Sequence, residues 1–239
     1  MSSFDGRSYW NDRLTASWSL AGTGHQQYSA GYNRWLYRAK RRALRRALGP
    51  LAAGSALDVG SGTGWVLREL VRAGWQVAGC DVVPVAVERL HRELPGISMA
   101  LVDAGRDRLP APDGSLDLVS ALDVVYHLVE HEAFSHLLAE VGRVLRPGGV
   151  FVASDTLSAD DVVPAEHVHF RSAERWRTAA EEAGLVVERL LPYFRRLSRP
   201  TEASRLRFLP DAGRGALEFA ADVVAPGQSW MHLAVLRAR

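Results

Sequence analysis

The segment LDVGSGTGWVL, residues 57–67, decides how this chain is read. A short apolar run ends in closely spaced glycines and passes directly into an amphipathic stretch, the form of a strand, a tight turn and a helix in a parallel sheet. Glycines at such a turn let backbone N–H groups approach a ligand at the helix N-terminus. Yet the loop carries a carboxylate, Asp58, at its mouth, and Trp65 stands where the third glycine of a G-x-G-x-x-G dinucleotide turn belongs. Asp58 would repel a pyrophosphate seated there. A ligand with positive charge reverses that sign.

Working outward, short apolar runs alternate with amphipathic stretches from Ser55 to about Asp155. Strands are expected at 56–60, 75–80, 97–102, 116–122 and 150–155. Helices are expected at 64–73, from Pro84 onward, and at 131–145, with RPGG at 146–149 as a turn before the fifth strand. Beyond it, 172–183 reads as a helix with Ser172 as N-cap and Gly184 as its stop. Two last strands follow at 184–194 and 229–239, with a helix near 215–223 between them. Upstream, 33–48 is a helix that turns Trp35, Leu36, Ala39, Ala43, Leu44 and Leu48 inward and its arginines outward.

Ligands of an open parallel sheet bind outside the carboxyl ends of its strands, and those ends carry Asp58, Asp81, Asp103 and Asp123. The loop LDVGSGTG, Asp81 about twenty residues beyond it, Asp103 after strand three and RVLRPGG before strand five together resemble class I S-adenosylmethionine-dependent methyltransferases. S-adenosylmethionine carries a sulfonium and an ammonium group, which suits the acidic loop. The resemblance implies an α/β fold: a doubly wound, mostly parallel seven-stranded Rossmann-like sheet with an antiparallel C-terminal strand and an N-terminal helical cap. It divides the chain into a cap or lid over residues 1–50 and a cofactor-binding domain over 51–239. It also implies that Gly60, Ser61, Gly62 and Gly64, with Asp58, surround the methionine moiety of the cofactor. Asp81 would take the ribose hydroxyls, Val82 would pack on the adenine, Asp103 and Ala104 would meet its amino group, and Leu122 would lie near the ammonium group.

Methyl transfer to a hydroxyl needs a base close to the sulfonium, near the end of strand four. There the chain reads LDVVYHLVEHEAF, residues 122–134, which offers His127 first, with Tyr126 and His131 beside it; His127 and His131 share a face if that turn is helical. A second pair, His167 and His169 in EHVHF, lies in the loop after strand five, which overhangs the acceptor pocket in the resembling family. As extended residues two apart, they project to one side. The aromatic N-terminus makes Tyr9, Trp10, Tyr28 and Tyr32 candidates for a lid over cofactor or acceptor. Some catechol methyltransferases hold magnesium after strands four and five, where Asp123 and Asp155 fall. Thr156 replaces the asparagine expected next, and magnesium prefers oxygen to imidazole, so no metal is expected.

Composition bounds the rest. The chain has 239 residues, 47% hydrophobic and 23% charged, which fits one globular domain with a cap. A single cysteine, Cys80, excludes a disulfide framework and a thiolate zinc site and fits a reducing compartment. The polar start and the lack of an apolar run near 18 residues point to a cytoplasmic protein with no membrane partner. Arginine-rich usage with one lysine, Lys40, suggests a GC-rich bacterial source. Arg38–Arg46 is a basic run and Arg195, Arg196, Arg199, Arg205 and Arg207 form a second cluster, so an RNA methyltransferase is one alternative. The formal charge is only +2, however, so a solvated helix face is the stronger reading and nucleic acid is not the expected partner. The same basic helix also suits a homodimer. Cys80 ends strand two, which argues against base C5 chemistry, and no Asn/Asp-Pro-Pro-aromatic run follows strand four, which argues against amide or adenine N-methylation. The expectation is therefore a small-molecule methyltransferase of the kind found in natural product biosynthesis, with oxygen favoured over nitrogen and carbon because of the histidines. Its chief rival is the same fold turned to another reaction, such as cyclisation.

Overall fold

The computed structural model describes residues 5–197, 206–224 and 229–239. Three helices come first: α1 (Gly6–Ala16), α2 (Leu20–Thr23) and α3 (Ala30–Leu48). The expected alternation then appears as β1 (Ser55–Val59), α4 (Trp65–Arg72), β2 (Gln76–Asp81), α5 (Pro84–Glu93), β3 (Ser98–Leu101), β4 (Leu116–Ala121), α6 (His131–Val144) and β5 (Leu145–Asp155). A hairpin, β6 (Val162–Ala165) and β7 (Val168–Phe170), precedes α7 (Ala173–Glu182), β8 (Leu185–Phe194), α8 (Asp211–Val224) and β9 (Met231–Ala238). Among the described residues no helix is long and apolar enough to cross a membrane.

The main sheet has seven strands in the order β3-β2-β1-β4-β5-β9-β8. Its first five strands pair in parallel, and β9 runs antiparallel to both β5 and β8. Strand order therefore reverses between β1 and β4, which opens a crevice at their carboxyl ends. RPGG is not a turn before β5. It lies within the strand, where the register against β4 shifts between Leu116 and Leu118 and Gly148 takes a φ of 79°.

Side chains alternate across the sheet and fill a core on each face. Leu57, Val119, Phe151 and Leu236 join Phe134, Leu137 and Val141 of α6 and Trp176 of α7 on one side. Ala56, Leu118, Val152 and Val235 join Leu36, Ala43 and Leu44 of α3 on the other. Helix α3 is thus part of the sheet's own core, while α1 and α2 lie over the strand ends.

The basic run on α3 is only partly a solvated face. Arg42, Arg45 and Arg46 are exposed, but Arg41 forms a two-pronged bond with the buried Glu69 of α4, and Lys40 is buried. The reason lies in its spacing: Lys40 is four residues from Leu36 and from Leu44, within the apolar stripe. In the second cluster Arg199 and Arg205 lie outside the described residues, and Asp222 of α8 accepts the backbone N–H groups of Arg195 and Arg196 at 3.0 and 2.6 Å.

Candidate cofactor and acceptor site

The turn after β1 is built for close approach. Gly60 has a φ of 69°, and a Cβ there would stand 2.3 Å from Val124 Cγ2, so only glycine fits between the turn and the segment after β4. Gly62 has a φ of 52° and its N–H donates to Asp81 Oδ2 at 2.7 Å. Val83 N–H donates to Asp81 Oδ1 at 2.9 Å. The carboxylate that ends β2 is thereby fixed against the loop, while burial raises its pKa. Asp103, after β3, accepts the N–H of Gly105 at 3.0 Å.

A cavity of about 750 Å³ opens at these strand ends. Of the residues singled out in the sequence it is lined by Gly60, Ser61, Gly62, Asp81, Val82, Asp103, Ala104, Leu122, His127 and Trp10. Asp58 is set behind the loop rather than in the wall. It is 1% exposed; Ser120 Oγ donates to its Oδ1 at 2.7 Å, and Oδ2 has no hydrogen-bond partner among the described residues. Burial pushes its pKa up to about 7. Gly64 also lies behind the wall, as the N-cap of α4 against Leu90.

The histidines separate. His127 ends a single helical turn, Val125–His127, and its Nδ1 is 2.6 Å from the carbonyl of His167. Nδ1 must then be the protonated nitrogen, which leaves the lone pair on Nε2. Burial lowers its pKa to about 4. Its ring meets Trp10 edge-on at 4.9 Å and lies parallel to His167 at 5.7 Å, and His167 in turn stacks on Tyr9 at 4.8 Å. His131 does not share a face with His127, because the turn ends at His127 and α6 restarts at His131, which is exposed and outside this cavity. Nor do His167 and His169 pair: His167 sits in the hairpin turn, whereas His169 Nδ1 is 3.0 Å from the carbonyl of Val129 and its Nε2 is 3.0 Å from Asp161. With both ring nitrogens engaged, His169 fastens the hairpin to the wall.

The aromatic candidates divide likewise. Trp10 lines the cavity, with Arg13 over its ring at 4.9 Å. Tyr28 and Tyr32 are 4% and 1% exposed in the core below α8, where Arg214 stacks on both, so they close nothing. Tyr126 lies behind the wall, its ring 5.0 Å from that of Phe170 and 4.6 Å from that of His127. Asp155 is engaged too, accepting Trp176 Nε1–H at 2.8 Å and Thr156 N–H at 2.6 Å. Among the described residues no group of three or more His, Cys, Asp or Glu side chains is arranged to hold a metal ion.

Two features escaped the sequence reading. Lys40 reaches from α3 to form an ion pair with Asp123 in the cavity wall; only its position within the apolar stripe signals this. Arg171, the residue after β7, is fully buried and its Nη2 donates to the carbonyls of Leu128, Val129 and Glu130 at 2.6, 3.2 and 3.0 Å. Nothing in its local sequence marks it.

With this geometry in hand, the comparisons agree on the class. Residues 57–153 match the sequence model of the family described as "Methyltransferase domain". The chain is 32% identical over 56% of its length to 52% of a dimethylglycine N-methyltransferase from Parasynechococcus marenigrum. It is 36% identical over 44% of its length to 41% of a ubiquinone biosynthesis O-methyltransferase from Paramagnetospirillum magneticum. It thus spans about half the length of these curated relatives or less. Among solved structures, the [4+2]-cyclase SpnF superposes with a TM-score of 0.59 at 22% identity over 84% of this chain and 81% of that one, a likeness of fold alone. Residues 57–153 are thus similar to a methyltransferase domain, and the chain is 28% identical over 76% of its length to 68% of a probable S-adenosylmethionine-dependent methyltransferase from Mycolicibacterium smegmatis.

Proposed function

We propose that the protein transfers a methyl group from S-adenosylmethionine to a small acceptor, with an oxygen nucleophile favoured and His127 as the base. The observation that carries this is one cavity walled by the glycine loop, Asp81 and Asp103 on one side and by His127 on the other. The residues fit the cofactor: the turn admits no Cβ at Gly60, Asp81 is pinned beside the loop, and the unpartnered oxygen of Asp58 favours a cation nearby. When bound, the cofactor supplies an electrophilic methyl carbon on a sulfonium. Gly60, Ser61 and Gly62 would hold its amino-acid end, Asp81 the ribose hydroxyls, and Val82, Asp103 and Ala104 the adenine. Leu122, which lines the same cavity, would lie near the ammonium group through its backbone.

His127 would take the acceptor proton at Nε2, since Nδ1 is committed to His167. An imidazole with a pKa of about 4 is neutral at physiological pH but a weak base, so it matches an acidic hydroxyl such as a phenol better than an alkanol. Trp10, with Tyr9 stacked behind on His167, would cover the acceptor and exclude water. A cyclising reading has one observation in its favour, the cyclase fold likeness, and the same assay separates the two. Incubation with S-adenosylmethionine and a panel of phenols, amines and polyenes should give a product heavier by one methyl group. A rearranged isomer of unchanged mass would contradict methyl transfer.

A further inference from the structure

We infer that Lys40 is the cavity's carboxylate-binding residue, its ammonium gripping a bound carboxylate while Asp123 holds it from behind. This rests on the cavity being a cofactor and acceptor site. Donors and acceptors are unbalanced in this buried ion pair. Lys40 lines the cavity yet is 7% exposed, and its ammonium has three N–H groups. Among the described residues Nζ donates to Asp123 alone and lies 4.6 Å over the ring of Tyr37. Asp123 is the reverse case. Besides Lys40 it accepts from Ser154 Oγ at 3.2 Å, and its backbone N–H, at a φ of 59°, donates to Ser154 Oγ at 2.7 Å. The carboxylate is therefore satisfied and clamped while the ammonium retains donors. A buried ammonium with spare donors selects an acceptor, and an anionic acceptor above a neutral one.

Among the described residues no other cation competes for that role deep in the site. Arg13 spends its guanidinium on the carbonyls of Gly22 and Gly24 and the hydroxyl of Tyr9, while Arg7 and Arg106 are exposed at the rim. His25 is held neutral, with its pKa lowered to about 4 by burial and then by the charge of Lys40. The position is also right for a carboxylate beside the glycine loop. Thr23 Oγ1 and the Tyr37 hydroxyl, 2.8 Å apart, join Lys40 in one wall, and a Cβ on Gly62 would stand 2.9 Å from Thr23 Cγ2. Two molecules could bring the carboxylate: the amino-acid end of the cofactor, or the acceptor.

Titration calorimetry distinguishes them. The variant is the double substitution Lys40→Met with Asp123→Asn, which avoids leaving an uncompensated buried charge and places asparagine at the positive φ; Lys40→Arg is its conservative control. The ligands are S-adenosylhomocysteine, 5′-methylthioadenosine, which lacks the carboxylate, and benzoate, the last titrated with and without S-adenosylhomocysteine. If the cofactor supplies the carboxylate, the double variant loses about 10- to 100-fold in affinity for S-adenosylhomocysteine, keeps its affinity for methylthioadenosine within about twofold, and is partly rescued in the arginine control. If the acceptor supplies it, S-adenosylhomocysteine binding is unchanged and benzoate binds the wild type but not the double variant. Equal binding of both carboxylates by wild type and double variant, or no carboxylate binding that depends on Lys40, overturns the proposal. Failure of the wild type to bind either nucleoside would overturn the cofactor reading instead, and the benzoate arm would still decide Lys40.

Discussion

His127 owes its chemistry to a neighbour's carbonyl. Because His167 takes the proton-bearing Nδ1, the lone pair on Nε2 is the one available to an acceptor. His127→Ala should lower turnover by about 10²- to 10⁴-fold while leaving affinity for S-adenosylhomocysteine within about twofold, measured by single-turnover kinetics and calorimetry. A collapse of cofactor affinity instead would make it a cofactor-pocket residue. Its pKa of about 4 has a further consequence: as pH rises, the activity limb due to His127 should be complete by about pH 5, with none near the ordinary histidine value. Asp58 gives the stability counterpart. Its pKa of about 7 lies above the usual 3.8, so the folded protein holds that proton more tightly than the unfolded chain. The associated stability is full below about pH 4 and is lost as the pH rises through about 7, a loss on the order of 4 kcal/mol. Asp58→Asn should therefore raise the melting temperature of the free protein at pH 8 by several degrees, by less at pH 5 and hardly at all below about pH 4, while weakening binding of the cationic cofactor. An unchanged melting temperature at pH 8 would contradict this reading of the buried carboxyl.

Among the elements, the glycine turn and the β6–β7 hairpin do most to shape the cavity. Gly60→Ala adds a Cβ 2.3 Å from Val124 at a positive φ, so a loss of about 1–3 kcal/mol in denaturant unfolding is expected, together with weakened cofactor binding. The hairpin acts at a distance. Arg171 and His169 hold the carbonyls of residues 128–130, and His167 holds His127. Arg171→Leu should lower turnover about tenfold or more and shift the emission of Trp10, whose ring packs on His127 in the wall that Arg171 fastens, with S-adenosylhomocysteine affinity little changed; intact turnover would show that the wall stands without it. The parallel sheet was legible because each strand carries a continuous apolar run and each helix a stripe, with Pro84 and Ser172 marking helix starts. The hairpin was not, because VVPA and VHF are short and lack alternation, and what defines them is long-range bonding to the wall. Lys40 was misjudged for a related reason: its charge suggested the surface, but its place in the stripe of Leu36, Ala43 and Leu44 put it inside, where Asp123 compensates it.

The whole molecule joins two halves of unequal legibility. The cofactor side is written in consecutive sequence, at the ends of β1, β2, β3 and β4, and most of the residues expected there line the cavity. The proposed acceptor side is assembled from α1, α3, the segment after β4 and the hairpin, which meet only in the fold. Of the residues expected in a lid, Trp10 therefore lines the cavity, while Tyr28 and Tyr32 lie in the core. At the same scale the charge argues against RNA: a net charge of +2 is spread among arginines of which Arg41 and Arg72 both serve Glu69. Binding to bulk tRNA should be weak, with a shallow dependence on salt; a steep slope between 50 and 200 mM would revive that alternative. The central claim is that the crevice between β1 and β4 receives a cofactor with a cationic sulfonium beside Asp81 and the glycine loop. Its most direct test is calorimetric titration of wild type and Asp81→Ala with S-adenosylmethionine, with NAD as comparator. The account requires S-adenosylmethionine to bind the wild type at one site, with NAD silent and binding abolished in the variant. Binding of NAD, or S-adenosylmethionine affinity that survives loss of Asp81, would contradict it.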